Sequence, residues 1–189
     1  MSNAIGLIRN EDDDFLEYGD GTPGRYNGGI DRRYMDDRML AVGTRLVRFV
    51  NFSFGAQLPD VRKNQTSFPS IARGNWWIRV SEFDKLRAHA LKYGQPLSAA
   101  MRDLCSIPKV WSNLSLYVIC EVKIEIPAKV GVGNPAIWRT RDGRIATNAS
   151  FRPAFLEQIN IKGRFVKLKY LEHIGTYSSV VGAGDLRAP

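Results

Sequence analysis

The chain has 189 residues, with 27 Lys and Arg against 19 Asp and Glu for a net charge of +8, a size that holds one domain with a sizeable core and a charge that suits polyanions as well as plain solubility. It has no run of eighteen apolar residues and begins with acidic, Gly-rich sequence where a signal peptide is basic and then apolar, so a cytoplasmic protein with no membrane partner is expected. Two Cys and two His exclude a disulfide framework, a Cys-based zinc site and a His-based triad, and no metal is expected.

Residues 1–38 carry Glu11-Asp12-Asp13-Asp14, a set of glycines, and then Arg32, Arg33, Asp36, Asp37 and Arg38. No period is sustained and the acids lack the alternation of a calcium loop, so this stretch reads as a solvated N-terminal extension able to cover a site or bind a partner. Residues 43–54 are β-branched and aromatic and predict a strand, with Arg45, Val47 and Phe49 on one face and Leu46, Arg48 and Val50 on the other. An arginine flanked by apolar neighbours is either an edge residue reaching solvent or a cation facing a site. A long Pro- and Gly-marked loop follows over residues 55–75.

Residues 75–80 predict a short strand in which Trp76 and Trp77 point to opposite sides, one toward the core and the other toward a surface or a ligand. A helix is expected to start with Ser81 as N-cap and Asp84 closing a near capping box, to present Phe83, Leu86, Ala90 and Leu91 inward, and to end at Gly94. Gln95-Pro96 opens a second helix through Cys105, with Leu97, Ala100, Met101 and Leu104 inward. Residues 114–126 predict the strongest and most central strand, stopped by Pro127. A hairpin is expected from Ala136-Ile137-Trp138-Arg139 through Asp142-Gly143 to Arg144-Ile145-Ala146-Thr147.

In the run 154–161 Phe155, Glu157, Ile159 and Ile161 share one strand face, and Leu156, Gln158 and Asn160 share the other. A carboxylate on an apolar face requires a cleft or a facing cation, since a buried unpaired charge is costly. Residues 165–171 predict the last strand, and 176–189 a flexible tail. Strands outnumber helices, and the helices cluster between the second and third strands. The expected class is therefore α+β, with split, mainly antiparallel sheets and a small helical segment, in one domain over residues 39–175.

This order resembles the mono-ADP-ribosyltransferase fold, and within it the cholera-toxin-like branch with its Arg, Ser-Thr-Ser and Glu pattern. Leu46-Val47-Arg48 is similar to the first motif, residues 76–81 followed by a helix stand in the place of the second, and Phe155-Leu156-Glu157 in that of the third. The resemblance implies an enzyme that takes NAD as co-substrate, with Glu157 catalytic and Arg48, Trp76, Trp77 and Ser81 as NAD-binding residues. There is no Ser-Thr-Ser, and Phe155 stands where arginine-directed members carry Gln or Glu.

The chemistry suits these residue types. Cleavage between nicotinamide and ribose passes through an oxocarbenium-like sugar that a carboxylate stabilises, and a diphosphate favours a planar guanidinium. The basic excess from Arg139 to Lys169 points to a polyanionic acceptor, with RNA favoured, and Phe155, Trp138, Arg139, Arg144 and Lys167 are the candidate acceptor-binding residues. A cytoplasmic enzyme of this kind harms its own cell, so a toxin or effector role with a neutralising antitoxin or immunity partner is expected. The alternatives are a non-catalytic basic RNA- or DNA-binding module and a metal-independent nuclease toxin using Glu157 with His173 or arginines.

Overall fold

A computed structural model describes residues 35–50, 74–105, 107, 113–133, 136–139, 145–148, 156–162, 165 and 169–180, with 136–139 and 145–148 described by backbone alone. The elements are β1 Asp36–Leu40, β2 Arg45–Val50, β3 Trp76–Arg79, α1 Val80–Tyr93, α2 Leu97–Cys105, β4 Leu116–Val122, β5 Ile126–Val132, β6 Ala136–Arg139, β7 Ile145–Asn148, β8 Glu157–Ile161 and β9 Leu171–Ser178.

Seven strands form one sheet in the order β1-β5-β8-β3-β2-β4-β9, and β6 and β7 pair separately. Every neighbouring pair in the large sheet is antiparallel. The α+β class and the antiparallel pairing agree with the sequence reading. Among the described residues the main sheet is continuous rather than split, with a small hairpin apart from it.

Both faces of the sheet are apolar, which is why its inner strands read as nearly unbroken hydrophobic runs. On one face Val47, Phe49, Ile78, Tyr117 and Ile119 pack with Phe83, Leu86 and Ala90 of α1 and Leu97, Ala100, Met101 and Leu104 of α2. Phe83 lies 4.9 Å from the Tyr117 ring centre and 6.2 Å from that of Phe49; its full burial contributes about 1.5–3 kcal/mol. On the opposite face Leu46, Trp77, Val118, Cys120, Val130, Ile159 and Ile161 form a second cluster, with Phe165 and Tyr170 against it. The alternations read from β2 and β8 are reproduced, and Trp76 and Trp77 do point to opposite sides.

The helices end as the sequence suggested. Gly94 adopts φ 60°, ψ 33°, and its N–H bonds back to the last turn of α1, a left-handed cap that glycine takes without Cβ strain. The start of α1 differs from the expectation. Arg79, extended at φ −73°, ψ 157°, is the N-cap and makes no side-chain cap bond, while Ser81 is an exposed residue of the first turn. Strand β3 runs directly into the helix, so the break falls where the pairing with β2 and β8 ends. Leu91 is exposed and takes no part in the inward stripe.

Four boundaries also differ. The run 114–126 is broken between β4, which ends at Val122, and β5, which begins at Ile126, because residues 123–125 turn; Pro127 lies inside β5 opposite Met39 of β1, one residue before β5 begins to pair with β8. Strand β4 lies next to the edge strand β9 and is not central. The last strand is β9 and not 165–171; it continues to Ser178 in register with β4, so the tail expected from 176 begins inside a paired strand. At the other end Asp36, Asp37 and Arg38, assigned to the extension, are β1 and pair with β5.

Candidate functional site

Glu157 opens β8 at the sheet end where β3 gives way to α1. The pairing Ile78↔Gln158 places Arg79 beside Glu157, and both side chains project from the face opposite the helices. The consequence is direct: Arg79 Nε donates to Glu157 Oε1 at 3.2 Å, with Arg79 28% and Glu157 32% exposed. From β1, Arg38 reaches back along its strand, giving Nη2 to Asp36 at 2.9 Å and bringing Nη1 within 3.8 Å of Glu157 Oε2. The neighbouring acids, Asp36 foremost and then the charge of Glu157, raise the pKa of Arg38 further.

The position of Glu157 is fixed from the helix side as well. Its backbone N–H donates at 2.9 Å to Oε2 of Glu82, a carboxylate only 7% exposed in the first turn of α1. The other oxygen of Glu82 accepts from Lys85 one turn along. A buried carboxylate is tolerable only with such partners, and a first-turn acid also opposes the positive end of the helix dipole. The catalytic candidate thus begins its strand on a bond to one carboxylate while its own carboxylate is held by a guanidinium.

Arg48 is on the same sheet face as Glu157, as the alternation required, but the two do not pair. Register puts them two strands and two residues apart, about 12 Å between Cα atoms from strand spacings, and Arg79 takes the place the sequence reading gave to Arg48. Arg48 Nη1 donates to the Trp76 carbonyl at 3.1 Å and the guanidinium lies over Trp77, 5.9 Å from the ring centre. Gly74 lies against it, and a Cβ there would stand 1.6 Å from Arg48 Nη2 unless the guanidinium moved.

Trp77 is 1% exposed and its Nε1 donates to the Gly74 carbonyl at 3.0 Å; its ring belongs to the core and offers no open stacking face. Trp76 is half-buried on the helix-side face, opposite Asn160, away from Glu157. Ser81 is exposed beyond Arg79 and Val80. Phe155, Arg144 and Lys167 lie outside the described residues, as do the side chains of Trp138 and Arg139, whose backbone forms part of β6.

Other titratable groups near the sheet are held neutral. Burial pushes the thiols of Cys105 and Cys120 up, Cys120 to about 12, so neither supplies a thiolate nucleophile. Burial, followed by the charge of Tyr177, raises Tyr117 to about 12. His173, directly across from Cys120, has its pKa lowered by burial, partly offset by a hydrogen bond to the backbone of Gly175. Among the described residues no group of three or more His, Cys, Asp or Glu is placed to hold a metal ion, and no helix is long and apolar enough to cross a membrane.

Arg79, Arg38 and Glu82 were missed by sequence reasoning. Arg79 carried one usable signal: it is two residues from Trp77 and so shares its face. Which strand stood beside it depended on a register that the sequence does not display.

No family model and no curated protein matches this chain. Among solved structures, a chain in the structure of Tne2 in complex with Tni2 is similar at a TM-score of 0.44 and 13% identity, over 78% of this chain and 93% of that one.

Proposed function

We propose that the chain is an NAD-dependent ADP-ribosyltransferase in which Glu157 is the catalytic residue. The observation that carries this reading is a half-buried carboxylate at the end of a strand, held at 3.2 Å by Arg79 on an otherwise apolar sheet face shared with Arg48. A carboxylate so placed is pre-oriented, which is what an oxocarbenium-like ribose requires of the group beneath it.

In the reaction the C1′–N bond of NAD breaks and nicotinamide leaves with the bonding pair as a neutral molecule. Glu157 stabilises the positive charge left on the ribose and accepts hydrogen bonds from its hydroxyls. An acceptor O–H or N–H then forms the new bond to C1′ and loses its proton. The net charge of +8 favours a polyanionic acceptor, RNA before protein. An enzyme with that acceptor belongs in a toxin or effector setting with a neutralising partner protein.

The test is nicotinamide release and label transfer from NAD labelled in its adenylate part, in a lysate divided among RNase, DNase and protease treatments. Label sensitive to RNase is the expected result, with Glu157→Gln lowering turnover by about 100-fold at unchanged stability, the magnitude usual for one well-placed electrostatic group. Absence of nicotinamide release from the wild-type protein would refute the reading. Label that survives both nucleases and is lost to protease would move the acceptor to protein.

A further inference from the structure

The two helices cover one half of their sheet face. Val47 and Phe49 of β2, Ile78 of β3 and Tyr117 and Ile119 of β4 pack under them, and among the described residues no member of β1, β5 or β8 joins that core. On the other half the register sets a row of side chains across four strands, with Asp37 opposite Lys129, Lys129 opposite Asn160, and Asn160 opposite Trp76. Residues directly opposite in antiparallel strands share a face, with Cβ atoms about 5 Å apart. Gln158 stands on this face too, opposite Ile78 and two residues along β8 from Asn160.

Three of these side chains have hydrogen-bonding capacity that the fold does not use. Asn160 is 1% exposed, and its Oδ1 is sealed from solvent with no hydrogen-bond partner. A buried acceptor left unpaired is destabilising and rare in a folded chain, and an apolar residue of similar size would avoid it. The Gln158 carboxamide and the Trp76 indole N–H, both on partly exposed residues, also make no hydrogen bond among the described residues, and Trp76 has no ring contact there. Lys129 is already paired with Asp37 at 3.2 Å, so the row offers amides and an aromatic ring rather than free charge.

Groups so placed call for a ligand with a donor and an acceptor on one edge and a flat face. Adenine has both: a carboxamide accepts from its N6 amino group while donating to N7, and an indole stacks on the ring. We infer that Asn160, Gln158 and Trp76 form a base-reading subsite that takes an adenine of single-stranded RNA, on the sheet face opposite Glu157. Entry is between Trp76 and Gln158, which solvent reaches. The net charge of +8 favours a strand over a free base, and unpaired bases are what RNA exposes. Because the sheet separates this row from Glu157, it is a place to hold the acceptor strand and not the NAD. The inference deepens the acceptor reading, and rests on it only for the use to which the bound strand is put.

Fluorescence anisotropy of labelled deca-adenylate and deca-uridylate RNA, without NAD, tests the subsite apart from any reaction. Wild-type protein is expected to bind the adenylate about 10-fold more tightly and to keep that ratio as salt lowers both affinities. Asn160→Leu should bring the ratio toward one while leaving Tm unchanged or raised, since it removes the orphaned acceptor; a purely structural residue would lower Tm and leave the ratio intact. Gln158→Ala, at a partly exposed position, should lower the ratio in the same direction and serves as the second variant if Asn160→Leu fails to fold. Trp76→Leu should weaken both RNAs by about 10-fold, since stacking tolerates any base.

Equal affinity of the wild type for the two RNAs would overturn the inference, as would an adenine preference that survives in both Asn160→Leu and Gln158→Ala. AMP that binds as tightly as the decamer would keep the adenine subsite and overturn the strand, and tighter binding of the deoxy decamer would overturn the choice of RNA. An adenine preference with no nicotinamide release from NAD would support the subsite and refute the transferase reading, so the two fail separately.

Discussion

Replacing Glu82 with alanine removes the acceptor on which strand β8 begins. The Glu157 N–H would lose a charge-assisted bond of 2.9 Å, a loss of about 1.5–3 kcal/mol when the donor finds no substitute. Lys85 is 63% exposed, so its share of the pair adds no more than about 1 kcal/mol, and the favourable first-turn charge about 0.3–1 kcal/mol. These contributions overlap, and a net destabilisation of about 2–3 kcal/mol is expected, or a fall of roughly 5–10 °C in Tm for a chain of this length. Glu82→Gln keeps an oxygen in place and should lose only about 1 kcal/mol. Urea denaturation of the three proteins, with hydrogen exchange at the Glu157 amide, measures both effects. If alanine came within about 0.5 kcal/mol of wild type, or glutamine proved as damaging as alanine, the assignment of Glu82 as the anchor of β8 would be wrong.

Two glycines should respond to alanine for different reasons. Gly94→Ala meets no atom within 4 Å and should cost about 1 kcal/mol through its left-handed backbone alone, whereas Gly74→Ala must displace the Arg48 guanidinium and should cost about 1–3 kcal/mol. The second cost should shrink in an Arg48→Ala background, and a cycle of denaturation measurements showing simple additivity would contradict the contact. His173 gives a pH effect: its pKa is lowered from 6.5 by burial, so the unfolded chain takes up the proton first. Its contribution is therefore intact above about pH 6.5 and lost as pH falls through that value toward the folded pKa. Stability curves against pH for wild type and His173→Gln should converge with acidification, and parallel curves would exclude this role.

Much of the fold was legible because its signals are local. The left-handed cap at Gly94, the stripe Leu97, Ala100, Met101 and Leu104, and the period-two alternation of Arg45 to Val50 are each decided within a few residues. The errors fall where a distant partner decides. Residues 123–125 look like strand from their neighbours, yet β4 and β5 separate there because β4 pairs with β2 and β9 while β5 pairs with β1 and β8. Ser81 has the chemistry of an N-cap, but pairing of β3 through Arg79 sets the start of α1. At the site, face assignment was readable and partner assignment was not: Arg48 and Glu157 share a face, and only register shows that Arg79 lies between their strands.

The pairing of β8 with β3 also constrains when the Glu157 cluster can first form. Glu157 meets Arg79 across 78 residues and Glu82 across 75, and closing a loop that long costs about 4 kcal/mol of chain entropy before any contact rewards it. High contact order of this kind slows folding and places these pairings late in it. A ribosome that has delivered both helices and β4 has made most of the helix-side core but no competent site, since the carboxylate and its strand are still to come. Newly made protein would therefore pass through a compact stage in which the helix-side core is largely built while Glu157, Arg79 and Glu82 have not yet met.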